Sequence, residues 1–250
     1  MTAMNRPHLF HYASPRTFAP LAARLARGFG IAALLLTAAG LAIGLAIAPT
    51  DARQGDIYRI MFVHVPAAWM SMFIYVVMAG YCTLGLIFNT RLSSMMALAL
   101  APVGALYTLI ALVTGALWGK PAWGAWWVWD ARLTSELILL FLYLGFLSLH
   151  AAIDDDRRAD RACAVLAIVG VVNIPIIFFS VQWWYTLHQG PSLGFGSGVA
   201  MTASMLAGIV VTTLGFWAYA IASTLVRVRT IIRARERQAP WRTGLEEQIA

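Results

Sequence analysis

The stretch FGIAALLLTAAGLAIGLAIA, Phe29 to Ala48, decides how the chain folds. It carries no charge and is about as long as the roughly 20 residues a helix needs to cross a bilayer. Arg24 and Arg27 precede it and Ala46-Ile47-Ala48 closes it, as in a cleavable leader. A leader's apolar core runs to only about 7 to 15 residues, however. The run therefore reads as a retained membrane helix.

Five further apolar runs follow between polar connections: Val65 to Phe88, Met95 to Trp118, Leu133 to Ile153, Ala162 to Trp184 and Gly198 to Val226. The expected fold is all-α: a polytopic membrane protein with six transmembrane helices in one integral membrane domain over residues 1–250. Residues 1–28 and 227–250 are tails. A chain that is 60% apolar and 12% charged excludes a water-soluble domain.

Cytoplasmic segments are enriched in Lys and Arg. With the N-terminus inside, the inner segments hold Arg6, Arg16, Arg24, Arg27, Arg91, Arg157, Arg158, Arg161, Arg227, Arg229, Arg233, Arg235, Arg237 and Arg242. The outer ones hold only Arg53, Arg59, Lys120 and Arg132, so both termini are expected in the cytoplasm. The net charge of +7 is mostly this orientation signal, and RVRTIIRARER, Arg227 to Arg237, is suited to anionic lipid head groups or an acidic partner. No basic soluble module interleaved with aromatics accompanies the arginines, so nucleic acid is not an expected partner. Cys82 and Cys163 fall toward inner helix ends, outside any CxxC or CxxCH setting, which disfavours a disulfide and covalent haem attachment.

The tryptophans are unevenly shared between the two sides. Trp69, Trp118, Trp123, Trp126, Trp127, Trp129, Trp183 and Trp184 all map to the outer side, eight of the ten in the chain. An interfacial belt would enrich both surfaces. Trp123, Trp126, Trp127 and Trp129 stand at helical spacings, which predicts a short amphipathic helical segment along the outer face, stopped upstream by Lys120-Pro121 and leading into the fourth helix. A membrane anchor accounts for one or two such residues, but less well for five beside Asp130 and Arg132.

Each outer loop flanking that segment carries one histidine, His64 in HVPAAW and His188 in LHQGPS, whereas His8, His11 and His150 map to the inner side. Imidazole suits zinc, copper or haem iron. Zinc would want three or four protein ligands, and these loops offer no cysteine. Haem wants flat apolar surface, axial nitrogens from opposite sides and cations for its propionates. The tryptophans, Trp184 among them, supply the surface, His64 and His188 the axial pair, and Arg59, Lys120 or Arg132 the cations. Arg132 with Asp130 and Glu136 equally reads as a local ion-pair cluster at the helix-four entrance. Gly115 to Pro121 approaches a phosphate loop but has the wrong glycine spacing and Pro in place of Ser or Thr, so ATP hydrolysis is not expected of this chain.

WGAWWVWDARLT, Trp123 to Thr134, resembles the tryptophan-rich signature of haem-handling proteins in cytochrome c biogenesis. With the two histidine contexts and the six-helix layout, the chain is similar to the haem exporter protein C (CcmC) family from about Gly55 to the end of helix six. The resemblance implies a bacterial inner-membrane protein that holds haem b (iron protoporphyrin IX) at its periplasmic face. It also implies delivery to the haem chaperone CcmE, together with the ABC-type subunits CcmA and CcmB and the small protein CcmD. The matching positions are His64 and His188 as axial ligands, with Trp118, Trp123, Trp126, Trp127, Trp129 and Asp130 as the signature. Three other readings stand beside presentation. One is haem transport through the membrane, for which Asn173 with Pro175 and Glu136 are the polar candidates at depth. Another is a lyase using Asp130 or Glu136, and the last is a tryptophan surface that only docks a partner subunit.

Overall fold

The computed structural model describes residues 11–184, 186, 188, 193–194, 198–199 and 201–237. Arg6, His8 and Arg242, and all of LHQGPS other than His188, lie outside the described residues. The helices are α1 (Pro15–Ala42), α2 (Met61–Phe88), α3 (Arg91–Trp123), α4 (Ala131–Ala152), α5 (Asp156–Gly170), α6 (Asn173–Trp183) and α7 (Ala203–Arg235). A two-residue antiparallel ribbon, β1 (Leu193–Gly194) with β2 (Gly198–Val199), lies between α6 and α7.

Among the described residues six helical stretches are long and apolar enough to cross a membrane: Pro15–Ile47, Asp56–Phe88, Arg91–Trp123, Ala131–Ala152, Asp156–Trp183 and Ala203–Arg235. The six expected helices are therefore present, and the chain is a multi-pass membrane protein. Among the boundaries that differ from the reading of apolar runs, two have a local cause. The first helix starts at Pro15, because proline at a helix start loses no needed N–H. The last starts at Ala203 rather than Gly198, since Thr202 caps it by accepting from the Met205 N–H at 3.4 Å.

The fifth crossing is broken in the middle, and the chemistry of proline explains why. Pro175 has no N–H to return to the Val171 carbonyl. Ile174 N–H takes that carbonyl instead, at 2.9 Å, and Val171 and Val172 close tighter turns onto Ile168 and Val169. Asn173 donates from its side-chain amide to the Ser135 carbonyl of α4 at 2.9 Å. The polar residue at depth thus stitches α6 to α4.

Close approach of backbones holds the bundle together, as expected where lipid removes the drive to bury apolar surface. α1 lies along α7 and α2 along α3. In the α1–α7 seam, Gly40 faces Thr212 and Gly215 faces Thr37; a Cβ on Gly215 would fall 2.7 Å from the Thr37 nitrogen. The central core packs Met70, Ile74, Tyr75, Met78, Leu139, Tyr143 and Ile177. Tyr143 donates to the Ser71 carbonyl and Tyr107 to the Phe216 carbonyl, each at 2.8 Å, so both buried hydroxyls are satisfied.

One expectation is overturned. The tryptophan segment is not an amphipathic helix: α3 runs through Lys120-Pro121 to Trp123 and stops at Gly124, and Ala125 to Asp130 is non-helical. Gly124 takes φ +83°, a left-handed conformation that glycine adopts without a Cβ penalty. Lys120 Nζ donates to the Gly124 carbonyl at 3.1 Å, and Asp130 already acts as the cap of α4. The segment is therefore stretched between two fixed helix ends, and its tryptophans do not share one helical stripe.

Candidate functional site

The site is built where the tryptophan-bearing ends of α2, α3 and α4 meet the chain after α6. His64 lies in the first turn of α2. A tight loop feeds that helix: the Asp51 carboxylate accepts from the Arg53 and Gln54 N–H groups, each at 2.8 Å, and Gly55 turns with φ +61°. The loop places Gln54 Oε1 to accept from Trp118 Nε1 at 2.8 Å. Trp118 in turn stands edge-on to the His64 ring, with centroids 5.8 Å apart. Gly115, one turn before it, leaves room for the imidazole: a Cβ there would sit 3.1 Å from His64 Cε1.

The tautomer of His64 follows from a neighbouring hydroxyl. Thr114 Oγ1 lies 3.0 Å from His64 Nδ1, and it donates its single proton to the Ile110 carbonyl at 2.6 Å. It must then accept from Nδ1–H, which leaves the lone pair on Nε2.

His188 is held by Asp130. Asp130 Oδ1 accepts from the Leu133 N–H at 2.8 Å and so caps α4, while Oδ2 accepts from the Thr186 hydroxyl. Thr186 Oγ1 also accepts from the His188 N–H at 3.2 Å. The His188 Nδ1 is buried without a hydrogen bond, 3.6 Å from Asp130 Oδ2. A carboxylate facing Nδ1 favours the proton there, leaving Nε2 as the ligand nitrogen. The Trp123 ring lies 4.9 Å from the His188 ring. Burial, then the charge of Arg132, depresses the His188 pKa below the usual imidazole value, against an opposing pull from Asp130.

Both histidines line one cavity of about 20 Å³, which Arg132, Glu136 and Gly115 also line. That volume admits one water-sized group. Arg132 donates to the Ile177 carbonyl of α6 at 2.9 Å, and Ser71 donates to the buried Glu136 carboxyl at 2.7 Å. Among the described residues no three His, Cys, Asp or Glu side chains gather as a metal cluster.

The other candidates stand apart from this cavity. Arg59 donates to Asp56 Oδ1 at 3.0 Å and to the Gly44 carbonyl at 2.7 Å, with its guanidinium 5.4 Å from the Tyr58 ring centre. It ties the α2 entrance to the end of the first crossing. Trp126 and Trp129 are 56% and 73% exposed, and Trp184 is exposed as well. Trp127 has its ring 5.3 Å from that of Trp129 and its buried Nε1 without a partner.

A family model described as "Heme exporter protein C" matches residues 8–243. The chain belongs to that family. It is 43% identical over 241 residues to the heme exporter protein C of Haemophilus influenzae, covering 96% of this chain and 98% of that one. To the protein of that name in Escherichia coli (strain K12) it is 46% identical over 211 residues, 84% and 85% of the two chains. With that of Bradyrhizobium diazoefficiens it shares 45% over 230 residues, 92% and 87% of the two.

The haem exporter family reading named the two histidines, and the structure brings them to one cavity with Trp118, Trp123, Asp130 and Arg132 around them. It also exposes residues that sequence reasoning passed over. Thr114, Gln54 and Thr186 orient the two imidazoles and the Trp118 ring, yet a lone Thr or Gln near a helix end carries no signal of its own. Glu136, by contrast, carried a signal of its own, an acid inside an apolar run, and was read from the sequence as a polar candidate at depth.

Proposed function

We propose that the protein binds haem as cargo at its tryptophan end, between His64 and His188, and presents it for attachment to the haem chaperone CcmE during c-type cytochrome maturation. The observation that carries this reading is the pair of imidazoles on one cavity, each with Nδ1 facing a protein oxygen and Nε2 free for iron. Two neutral imidazoles suit six-coordinate iron. With room for only one water-sized group between them, the imidazoles must part to admit a porphyrin, and the His188 side, tied by Asp130 and Thr186 rather than by a helix, is the one suited to move.

The exposed rings of Trp126, Trp129 and Trp184 then offer the flat surface on which the haem edge meets the chaperone. Arg132, at the cavity wall, is the candidate for a propionate; Arg59, engaged elsewhere, is a weaker one. The tryptophan end faces the periplasm of the bacterial inner membrane in this reading, both termini are cytoplasmic, and CcmA, CcmB and CcmD complete the assembly. The asymmetry of the arginines supports that orientation.

The test uses purified protein loaded with haem b and mixed with haem-free CcmE. Trp126→Leu with Trp129→Leu should keep the haem spectrum and slow transfer to CcmE. Unchanged transfer would reduce the exposed rings to an anchor. A transmembrane haem transporter is the alternative; haem accumulating inside vesicles that contain only this chain would replace presentation with transport.

A further inference from the structure

At the opposite end of the bundle α2, α3 and α5 enclose a second cavity, of about 300 Å³, that haem presentation does not use. Arg91, Arg157 and Arg161 line it, with Ser94 and Asn89, and its floor is formed by the buried Cys82 and Ala164. Arg91 reaches Glu236 only weakly, at 3.4 Å, while among the described residues no carboxylate lies within ion-pair distance of Arg157 or Arg161. The one acid on the cavity, Asp160, is already spent: both its oxygens accept from Arg235, at 2.8 and 2.9 Å, and His150 stands 3.5 Å away. The first turn of α3 adds N–H groups that the Thr90 side chain does not cap; its hydroxyl donates to Ser93 at 2.7 Å. The cavity therefore carries a surplus of positive charge and free donors.

Orientation of a membrane protein needs arginines on one side, but it does not need them to converge on a cavity. We infer that this cavity binds the phosphate head group of an anionic phospholipid from the adjoining leaflet. Its volume lies at the lower end of small-molecule sites, roughly 300 to 1,000 Å³, which suits a head group. Leu86, itself on the cavity wall, is exposed, as are Ile87, Phe88 and Val165 on the flanking faces of α2 and α5. Exposed apolar side chains thus stand on the helices that carry the charged mouth, as an acyl chain requires and free phosphate does not. Basic pockets between transmembrane helices hold acidic lipid head groups by the same logic.

The test is native mass spectrometry of the full chain released from nanodiscs containing equal phosphatidylglycerol and phosphatidylcholine. The wild type should retain phosphatidylglycerol preferentially, and Arg157→Gln with Arg161→Gln should reduce that preference by roughly 10- to 30-fold. Arg227→Gln with Arg229→Gln, arginines on the same end that do not line the cavity, should leave it unchanged. Equal loss in both double variants would make the preference a property of general surface charge and overturn the site. Stabilisation by inorganic phosphate as large as that by phosphatidylglycerol, lost in the Arg157/Arg161 variant, would overturn the lipid as its source. Circular dichroism of both variants checks that the helices remain.

Discussion

At one end of the bundle His64 and His188 close on about 20 Å³; at the other, Arg91, Arg157 and Arg161 stand around about 300 Å³. The small cavity is walled by groups whose partners are fixed: Thr114 on one imidazole, Asp130 near the other, Ile177 on Arg132 and Ser71 on Glu136. The large one is edged by exposed guanidinium groups, two of them unpaired among the described residues. Preset ligand orientation marks a site that selects by geometry, whereas loosely held charge marks one that selects by electrostatics. Perturbing supports should therefore cripple the first end and barely touch the second.

The largest effect is expected at Asp130. Asp130→Ala removes the α4 cap, worth about 1 kcal/mol, and frees both Thr186 and His188. Haem affinity measured by titration of the purified protein should fall roughly 10- to 100-fold, the usual cost of losing a residue that orients a metal ligand. Arg235→Ala, which releases Asp160 at the other end, should leave that affinity unchanged; a comparable loss would dissolve the distinction between the ends.

Crowding His64 is the next strongest intervention. Gly115→Ala places a methyl 3.1 Å from Cε1, and an overpacking cost of about 1 kcal/mol or more predicts affinity weaker by roughly fivefold. The same clash is present without haem but is offset by about 1 kcal/mol of helix propensity gained on replacing a glycine inside α3 by alanine, so stability to heat without haem should change little by comparison. Trp118→Phe loses the bond to Gln54, worth about 1 kcal/mol, and should weaken binding a few-fold, while Trp129→Phe, on an exposed ring, should not. Equal effects of the two would show that ring area alone matters.

The smallest effect concerns pH. An imidazole must be neutral to ligate iron, and the His188 pKa is depressed below its ordinary value of about 6.5. The ligand form thus persists as pH falls through 6.5, and binding is lost only below it. Arg132→Gln takes away a positive neighbour, so the His188 pKa rises and the midpoint of the loss moves to higher pH. Spectrophotometric pH titration of the haem complex reads that displacement.

Much of this was legible from residue order because bilayer thickness dictates run length, and charge is confined to the turns. Phe29 to Ala48 and its five counterparts announced six crossings, and Pro175 within the fifth run accounts for its break, since proline must free a carbonyl wherever it sits inside a helix. The conformation of the tryptophan segment was not legible. Helical spacing at Trp123, Trp126 and Trp127 was real, but Gly124 and the capping role of Asp130 act locally and override periodicity. Nor could Arg59 be told from Arg132, because their difference arises from which carbonyl each reaches, Gly44 or Ile177, across gaps of 15 and 45 residues.

The central claim is that His64 and His188 are the two axial ligands of one haem. Absorption and electron paramagnetic resonance spectra of the haem-loaded wild type should show six-coordinate low-spin iron, and His64→Ala and His188→Ala should each convert it to a five-coordinate or high-spin form. Both variants keeping the wild-type spectrum would contradict the account.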